Sequence, residues 1–240
     1  MALMGANPQR IYIVTSAVGG LAAVALGAVL GIGVHLLIIT PILGSAPVNQ
    51  LLATGGLLFF LQSFATFLWT TDHKSVRLSL PSWEFGGIFL PFTRVIPFAI
   101  SIVAVVALYL FLTRTFIGTA IRAVSQDRDA MALMGANPQR IYIVTSAVGG
   151  LMAGLAGALL IFQYSVHPFF GGQFGPLTFM ICVLGGLGNM VGAFVAAFVM
   201  SEIISVAGVV WSTEMGYVIA FVVFIVMIFA RPGGILARRG

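Results

Sequence analysis

TRTFIGTAIRAVSQDRDAMALMGANPQR, residues 113–140, decides how the rest of the chain is read. The 240 residues include 11 Lys and Arg and 6 Asp and Glu, and this one stretch holds Arg114, Arg122, Asp127, Arg128, Asp129 and Arg140. A long apolar segment lies on each side of it. The stretch therefore reads as a polar helix and turn held between two membrane spans. Ser125 is a good N-cap, and Asp127 and Asp129 would then sit in the first turn, where their charge suits the helix dipole. Gly135 can take the left-handed conformation that ends a helix, and Pro138 discourages continuation. The spacing predicts a helix over residues 126–134 with Ala130, Leu133 and Met134 on one face, bordered by Met131. A short amphipathic helix outside the bilayer suits a groove on another protein; lying on the bilayer surface, or capping its own bundle, is the plainer reading.

Composition supports the membrane setting. Sixty per cent of residues are apolar, 7% are charged, and the mean hydropathy is +1.12. A soluble domain with these values would expose long apolar runs to water. Spans of about 20 apolar residues cross roughly 30 Å of hydrocarbon, and about seven segments are candidates, at 11–40, 51–69, 95–112, 141–161, 177–184 (short), 190–206 and 215–230. The expected fold is an all-α polytopic helix bundle with a cytoplasmic helix in the 113–140 loop. Within 141–161, Gly149 with Ala153 and Gly150 with Gly154 are four apart and permit close helix packing. The net charge of +5 is no nucleic-acid signature, because the arginines sit singly beside span ends. Placing residues 113–140 and the C-terminal tail in the cytoplasm leaves Lys74, Arg77, Arg94 and Arg10 outside.

Residues 1–20, MALMGANPQRIYIVTSAVGG, recur without change at 131–150. Repeat architectures drift, so a recent duplication, a splice or an artificial sequence is preferred to two working copies. Alternating spans start one copy outside and the other inside. This conflict favours the internal copy as the working one and suggests that genuine N-terminal spans are missing. The chain is accordingly divided into 1–20, the anomalous copy, and 21–240, a transmembrane domain.

Other residues are less specific. GGLGN at 185–189 contains Gly185, Gly186, Gly188 and Asn189 and breaks a helix. It reads either as a flexible part of a translocation pathway or as a tight cytoplasmic turn, which the parity of spans favours. Glu202 is the one acidic residue placed inside a span. It lines a pathway, bonds across helices or snorkels to the outer surface. Cys182 is expected to pack. His35 and His167 lack partners at metal-ligand spacing and read as packing or interfacial. Trp69, Phe169, Phe170, Phe174 and Trp211 fit an aromatic belt.

DAMALMG at 129–135 resembles the EAAxxxG core of the cytoplasmic coupling loop of ABC-importer permeases. Asp129 stands for the Glu, Ala130 for the first Ala and Gly135 for the Gly, and Met131 departs at the second Ala. With RAVSQDRDAMALMGANPQR (122–140), LMAGLAG (151–157), VLGGLGNMVGA (183–193) and RPGGIL (231–236), the chain resembles the high-affinity branched-chain amino acid permease family, which includes urea and short-amide permeases. The resemblance runs from about residue 36 to the C-terminus. It implies a subunit in a bacterial inner membrane that pairs with a second permease, two cytoplasmic ATPase subunits and a periplasmic solute-binding protein. ATP and Mg2+ would be bound by the ATPases; this chain would carry no cofactor, metal or catalytic residue, and its lone lysine, Lys74, follows His73 rather than a P-loop glycine. Asp129, Ala130, Leu133, Met134 and Gly135 would form the ATPase contact. The resemblance implies branched-chain or other small neutral amino acids as solute, with urea or short amides as the alternative; a stand-alone channel or secondary transporter is the alternative of another class.

Overall fold

The structure is a computed structural model that describes residues 8–73, 82–85, 88–135, 137–186 and 188–230. The expectations for residues 1–7, Lys74, Arg77 and the 231–240 tail lie outside the described residues, as do the side chains of Arg10, Arg128 and Asp129. Two compact units are present, Met1–Pro168 and Phe169–Gly240.

In the first unit, α1 (Pro8–Val34) continues through a π-helical turn at His35–Ile39 into a short α2 (Thr40–Ile42), and α3 spans Pro47–Trp69. The π-turn has a local cause. Pro41 has no N–H to offer the ladder, and just before it the Thr40 N–H donates to the His35 carbonyl, five residues back. The Thr40 hydroxyl donates to the same carbonyl at 2.9 Å. Next come β1 (Ser82–Phe85) and β2 (Ile88–Pro91), an antiparallel hairpin pairing Ser82 with Pro91 and Phe85 with Ile88. This hairpin is the one departure from the all-α expectation among the described residues. Its aromatic and β-branched residues, Trp83, Phe85, Ile88 and Phe89, suit a strand. The unit continues with α4 (Phe92–Arg114), α5 (Phe116–Gln126), α6 (Arg128–Leu133) and α7 (Pro138–Leu160).

The contact that builds this unit is between α1 and α7. Added Cβ atoms show it directly: one on Gly27 would lie 2.9 Å from the Gly154 Cα and against the Gly150 carbonyl, and one on Gly31 would lie 3.1 Å from the Gly150 Cα and against the Ser146 carbonyl. Gly154 in turn meets Ala23 and Val24, and Gly20 meets Ala158. Rising numbers on α1 meet falling numbers on α7, so the pair is antiparallel. Both faces repeat every four residues, Ala23-Gly27-Gly31-His35 against Tyr142-Ser146-Gly150-Gly154-Ala158. Side chains this small bring one backbone onto the other, which is how helices associate where lipid supplies no hydrophobic drive. Of the two expected pairs, Gly150–Gly154 is used and Gly149 touches nothing within 4 Å. The antiparallel pairing also places residues 8–20 and 138–150, identical in sequence, at opposite ends of the pair.

The second unit contains a 3-10 turn (Phe170–Gln173), α8 (Phe174–Gly185), α9 (Met190–Val210) and α10 (Thr213–Ala230). Its core gathers Met180, Leu184, Ala196, Met200, Ala220 and Phe224. Among the described residues, six helices are long and apolar enough to cross a membrane. The expected seventh, α8, has 12 residues, or about 18 Å of helix, well short of the hydrocarbon thickness. The exposed apolar surface is extensive, including Phe59, Phe60, Phe67 and Phe229, as a bundle facing lipid requires.

Replacing Gly150 with Leu forces α1 and α7 apart and is expected to lower the thermal midpoint of the detergent-solubilised protein by several degrees, an overpacking cost of about 1–3 kcal/mol. Gly149→Leu, one residue away with open space around it, is expected to leave the midpoint within about a degree. Differential scanning fluorimetry on the two variants checks the contrast.

Candidate functional site

The polar loop is built as a chain of caps. At the end of α4, the Thr115 hydroxyl donates to the Phe111 carbonyl at 2.6 Å and accepts from the Gly118 N–H at 3.0 Å, so one side chain closes a helix and opens the next. Gly118 is required where α5 folds back on α4, since a Cβ there would lie 2.8 Å from the Leu112 carbonyl carbon. Gly118 and Val124 are buried and Ile121 is half-buried between them, a three-residue spacing that turns one face of α5 toward α4 and α7. This amphipathic helix was not foreseen. The signal was the sequence Thr115-Phe-Ile-Gly118 followed by apolar residues at 121 and 124.

Asp127 sits between helices. Its N–H donates to the Ala123 carbonyl at 3.0 Å and its Oδ1 accepts from the Ala130 N–H at 2.9 Å. The predicted helix over 126–134 with Ser125 as cap is therefore corrected: Asp127 is the cap and α6 has six residues. Ser125 lies inside α5, its hydroxyl donating to the Arg122 carbonyl at 2.7 Å. Burial of Val124 carries α5 past Ser125 and moves the break to the next carboxylate. Gly135 ends the segment at φ +81°, and the Met134 and Gly135 N–H groups donate to the Ala130 and Ala132 carbonyls. Asn137 then opens α7, its Oδ1 accepting from the Gln139 and Arg140 N–H groups at 3.0 and 3.4 Å, with Pro138 in the first turn.

At the tip the predicted face divides. Ala130 is half-buried, whereas Leu133 is 90% exposed and Met134 84% exposed. Two large apolar side chains thus project from a polar loop that joins two membrane-length helices.

The second predicted group does not assemble. GGLGN is a tight turn: Gly186 and Gly188 both have φ +87°, and the Gly186 N–H donates to the Val183 carbonyl. The Asn189 Oδ1 accepts from the Gly192 N–H at 3.0 Å, capping α9. Gly185 is buried where α8 and α9 touch, a Cβ there lying 2.7 Å from the Gly192 carbonyl carbon. Glu202 is 13 residues further on, about 20 Å along α9. It lies on the exposed face of α9 with Ser201 and Ser205, away from buried Ala196 and Met200. Cys182, expected to pack, is exposed on α8. His35 is buried, and its Nδ1 lies 3.0 Å from the Ser146 Oγ. The His167 ring lies 4.8 Å from that of His73, between centroids.

Comparison with known proteins accords with these features. The model of the family described as branched-chain amino acid transport system, permease component, matches residues 1–228. The high-affinity branched-chain amino acid transport system permease protein BraD of Pseudomonas aeruginosa is 28% identical over 205 residues, covering 82% of this chain and 67% of its own length. The corresponding protein LivH of Salmonella typhimurium is 27% identical over 247 residues, covering 98% of this chain and 78% of its own length. A shorter match, 29% identical over 119 residues, covers 46% of this chain and 32% of the xylose transport system permease protein XylH of Haemophilus influenzae. No solved structure matches.

Removing the carboxylate in Asp127→Ala deprives α6 of its cap, at a cost of about 1 kcal/mol. Amide exchange at Ala130 is expected to accelerate about five-fold, while exchange at the buried Val124 stays unchanged; hydrogen–deuterium exchange in detergent micelles checks both.

Proposed function

This chain belongs to the branched-chain amino acid transport permease family, and from that premise we propose that it is the permease subunit of an ABC importer. The subunit moves branched-chain or other small neutral amino acids across a bacterial inner membrane, driven by separate ATPase subunits. The observation that carries the proposal is the exposed pair Leu133 and Met134 at the tip of the polar loop. Two large apolar side chains outside the spans suit a hydrophobic groove on a cytoplasmic protein, and burying both contributes about 3–6 kcal/mol.

The loop is suited to transmitting force. Asp127 ties α6 directly to α5, and Gly135, Asn137 and Pro138 tie it to α7 with little intervening chain. When two ATPases close on ATP, the displaced tip carries the start of α7 with it, and α7 carries α1 through their shared backbone contact. ATP and Mg2+ belong to the ATPase partners. Asp129, Ala130 and Gly135 shape the tip, and Leu133 and Met134 make the contact. A second permease subunit and a periplasmic solute-binding protein complete the assembly. Glu202, with Ser201 and Ser205 on one face, meets protein or water rather than acyl chains, since a carboxylate at mid-span costs about 2.5–3.5 kcal/mol. The pathway therefore runs along this face of α9, with the Gly185–Asn189 turn at its cytoplasmic end. The partial likeness to a xylose permease protein supports a second reading, in which the solute is a small neutral sugar and the binding protein sets the choice.

Leu133→Asp with Met134→Asp is expected to weaken capture of the ATPase subunits by about 30-fold or more while the permease remains in the membrane. Co-purification from membranes measures this. Solute uptake into vesicles holding the chain without any ATPase would instead indicate a self-contained channel or secondary transporter.

A further inference from the structure

Three histidines occur in the 240 residues, and the fold brings two of them together. The rings of His73 and His167, far apart in sequence, lie 4.8 Å apart between centroids and are tilted by 45°. Both belong to the Met1–Pro168 unit and both lie outside the spans, His73 just after α3 and His167 just after α7. At the polar loop α4 ends and α7 begins, so the start of α4 and the end of α7 share the opposite face of the membrane. The pair sits on that opposite face, away from Leu133 and Met134. His73 is exposed and His167 half-buried, so water and dissolved ions can reach them.

The separation of the rings is informative. Two imidazoles on one ion, each at a metal–nitrogen distance of about 2.0–2.1 Å, hold their ring centres about 4.5–5.2 Å apart at tetrahedral or square-planar angles. The observed spacing falls inside that interval. A flat stack would keep the in-plane lone pairs from meeting, whereas the tilt lets one nitrogen of each ring turn toward a common point. The second nitrogen remains for the hydrogen bond that orients a ligating ring. Among the described residues no group of three His, Cys, Asp or Glu gathers. The Asp72 Oδ2 instead accepts from the Thr70 hydroxyl at 3.0 Å. Two nitrogens and water oxygens therefore make up the shell. Such a set suits Zn2+, Cu2+ or Ni2+ and has too few fixed oxygens for Ca2+ or Mg2+.

The chain leading to His73 carries a cost that a ligand would explain. Thr70 ends α3 with φ 60° and an extended ψ, a backbone region that is essentially reserved for glycine. This turn takes the chain off the helix and directs residues 71–73. A tie at this point has a structural use. None of the described residues of α3 is buried, so packing does little to hold its end in place.

We propose that His73 and His167 form a two-imidazole site for a late first-row divalent ion, and that the bound ion fastens the end of α3 to the end of α7. The site is independent of which solute the protein carries and of whether ATPases drive it.

The test uses the full chain in detergent micelles, without added histidines and with Cys182→Ser to remove the exposed thiol. The probes are Zn2+ and Cu2+. One Zn2+ per chain is expected, raising the thermal midpoint by about 4 °C at saturating metal. His73→Gln and His167→Gln are each expected to weaken Zn2+ binding about 100-fold or more and to abolish the shift, and the double variant no further. Because His73 is exposed, His73→Gln should leave the metal-free midpoint within about a degree. The electron paramagnetic resonance spectrum of bound Cu2+ should show coupling to two nitrogens, and to one in either single variant. Zn2+ binding of equal strength in the double variant is adventitious metal only and overturns the proposal. Binding through both histidines with no change in the midpoint overturns the fastening of α3 to α7.

Discussion

Two backbones in contact, with no side chain between them at Gly27, Gly31, Gly150 and Gly154, are the constraint from which the first unit follows. Lipid is as apolar as leucine, so a membrane helix gains little by hiding apolar side chains from it. What remains is close dispersion contact, and that is greatest where Cα and carbonyl atoms meet directly. The α1–α7 contact consists largely of such meetings. It fixes the first turns of α7, and α7 together with α4 provides the surface on which α5 folds back.

The loop between the spans solves a different problem. Outside the bilayer each helix end exposes unpaired backbone groups, and the chain changes helix three times between α4 and α7. Thr115, Asp127, Gly135 and Asn137 meet this need in turn, by side-chain capping or by left-handed backbone. The hydrogen bonds are local, so the path of the loop is set with few long-range contacts. Leu133 and Met134 are left without neighbours, on a support of fixed shape.

Much of this could be read in advance, and the failures have physical causes. The spans were visible because membrane helices carry their signal in unbroken apolar length. The Gly150–Gly154 pair was visible because small residues four apart have few other uses in lipid. Gly135 and Pro138 marked the end of the loop helix correctly. Its start was misplaced because Ser125 and Asp127 are both good caps, and the choice depended on α5 burying Val124 against other helices. The turn at Gly186 and Gly188 followed from glycine content, whereas the span parity that also favoured a turn counted α8 as a crossing, for which its 12 residues are too few. Ser146 as the partner of His35 could not be read, because the two residues are 111 positions apart and meet only through the glycine register. Cys182 was misjudged since residue type says little about facing in a helix that is apolar all round.

The shortness of α8 bears on how the second unit enters the bilayer. A segment of 12 residues ending in a glycine turn is too brief to be retained by insertion machinery as an independent span. It becomes stable only when α9 has emerged and can lie against it at Gly185 and Gly192, and the core at Met200 and Phe224 closes only once α10 follows. The three helices of the second unit therefore depend on one another's contacts, and α8 by itself has too little apolar length to span.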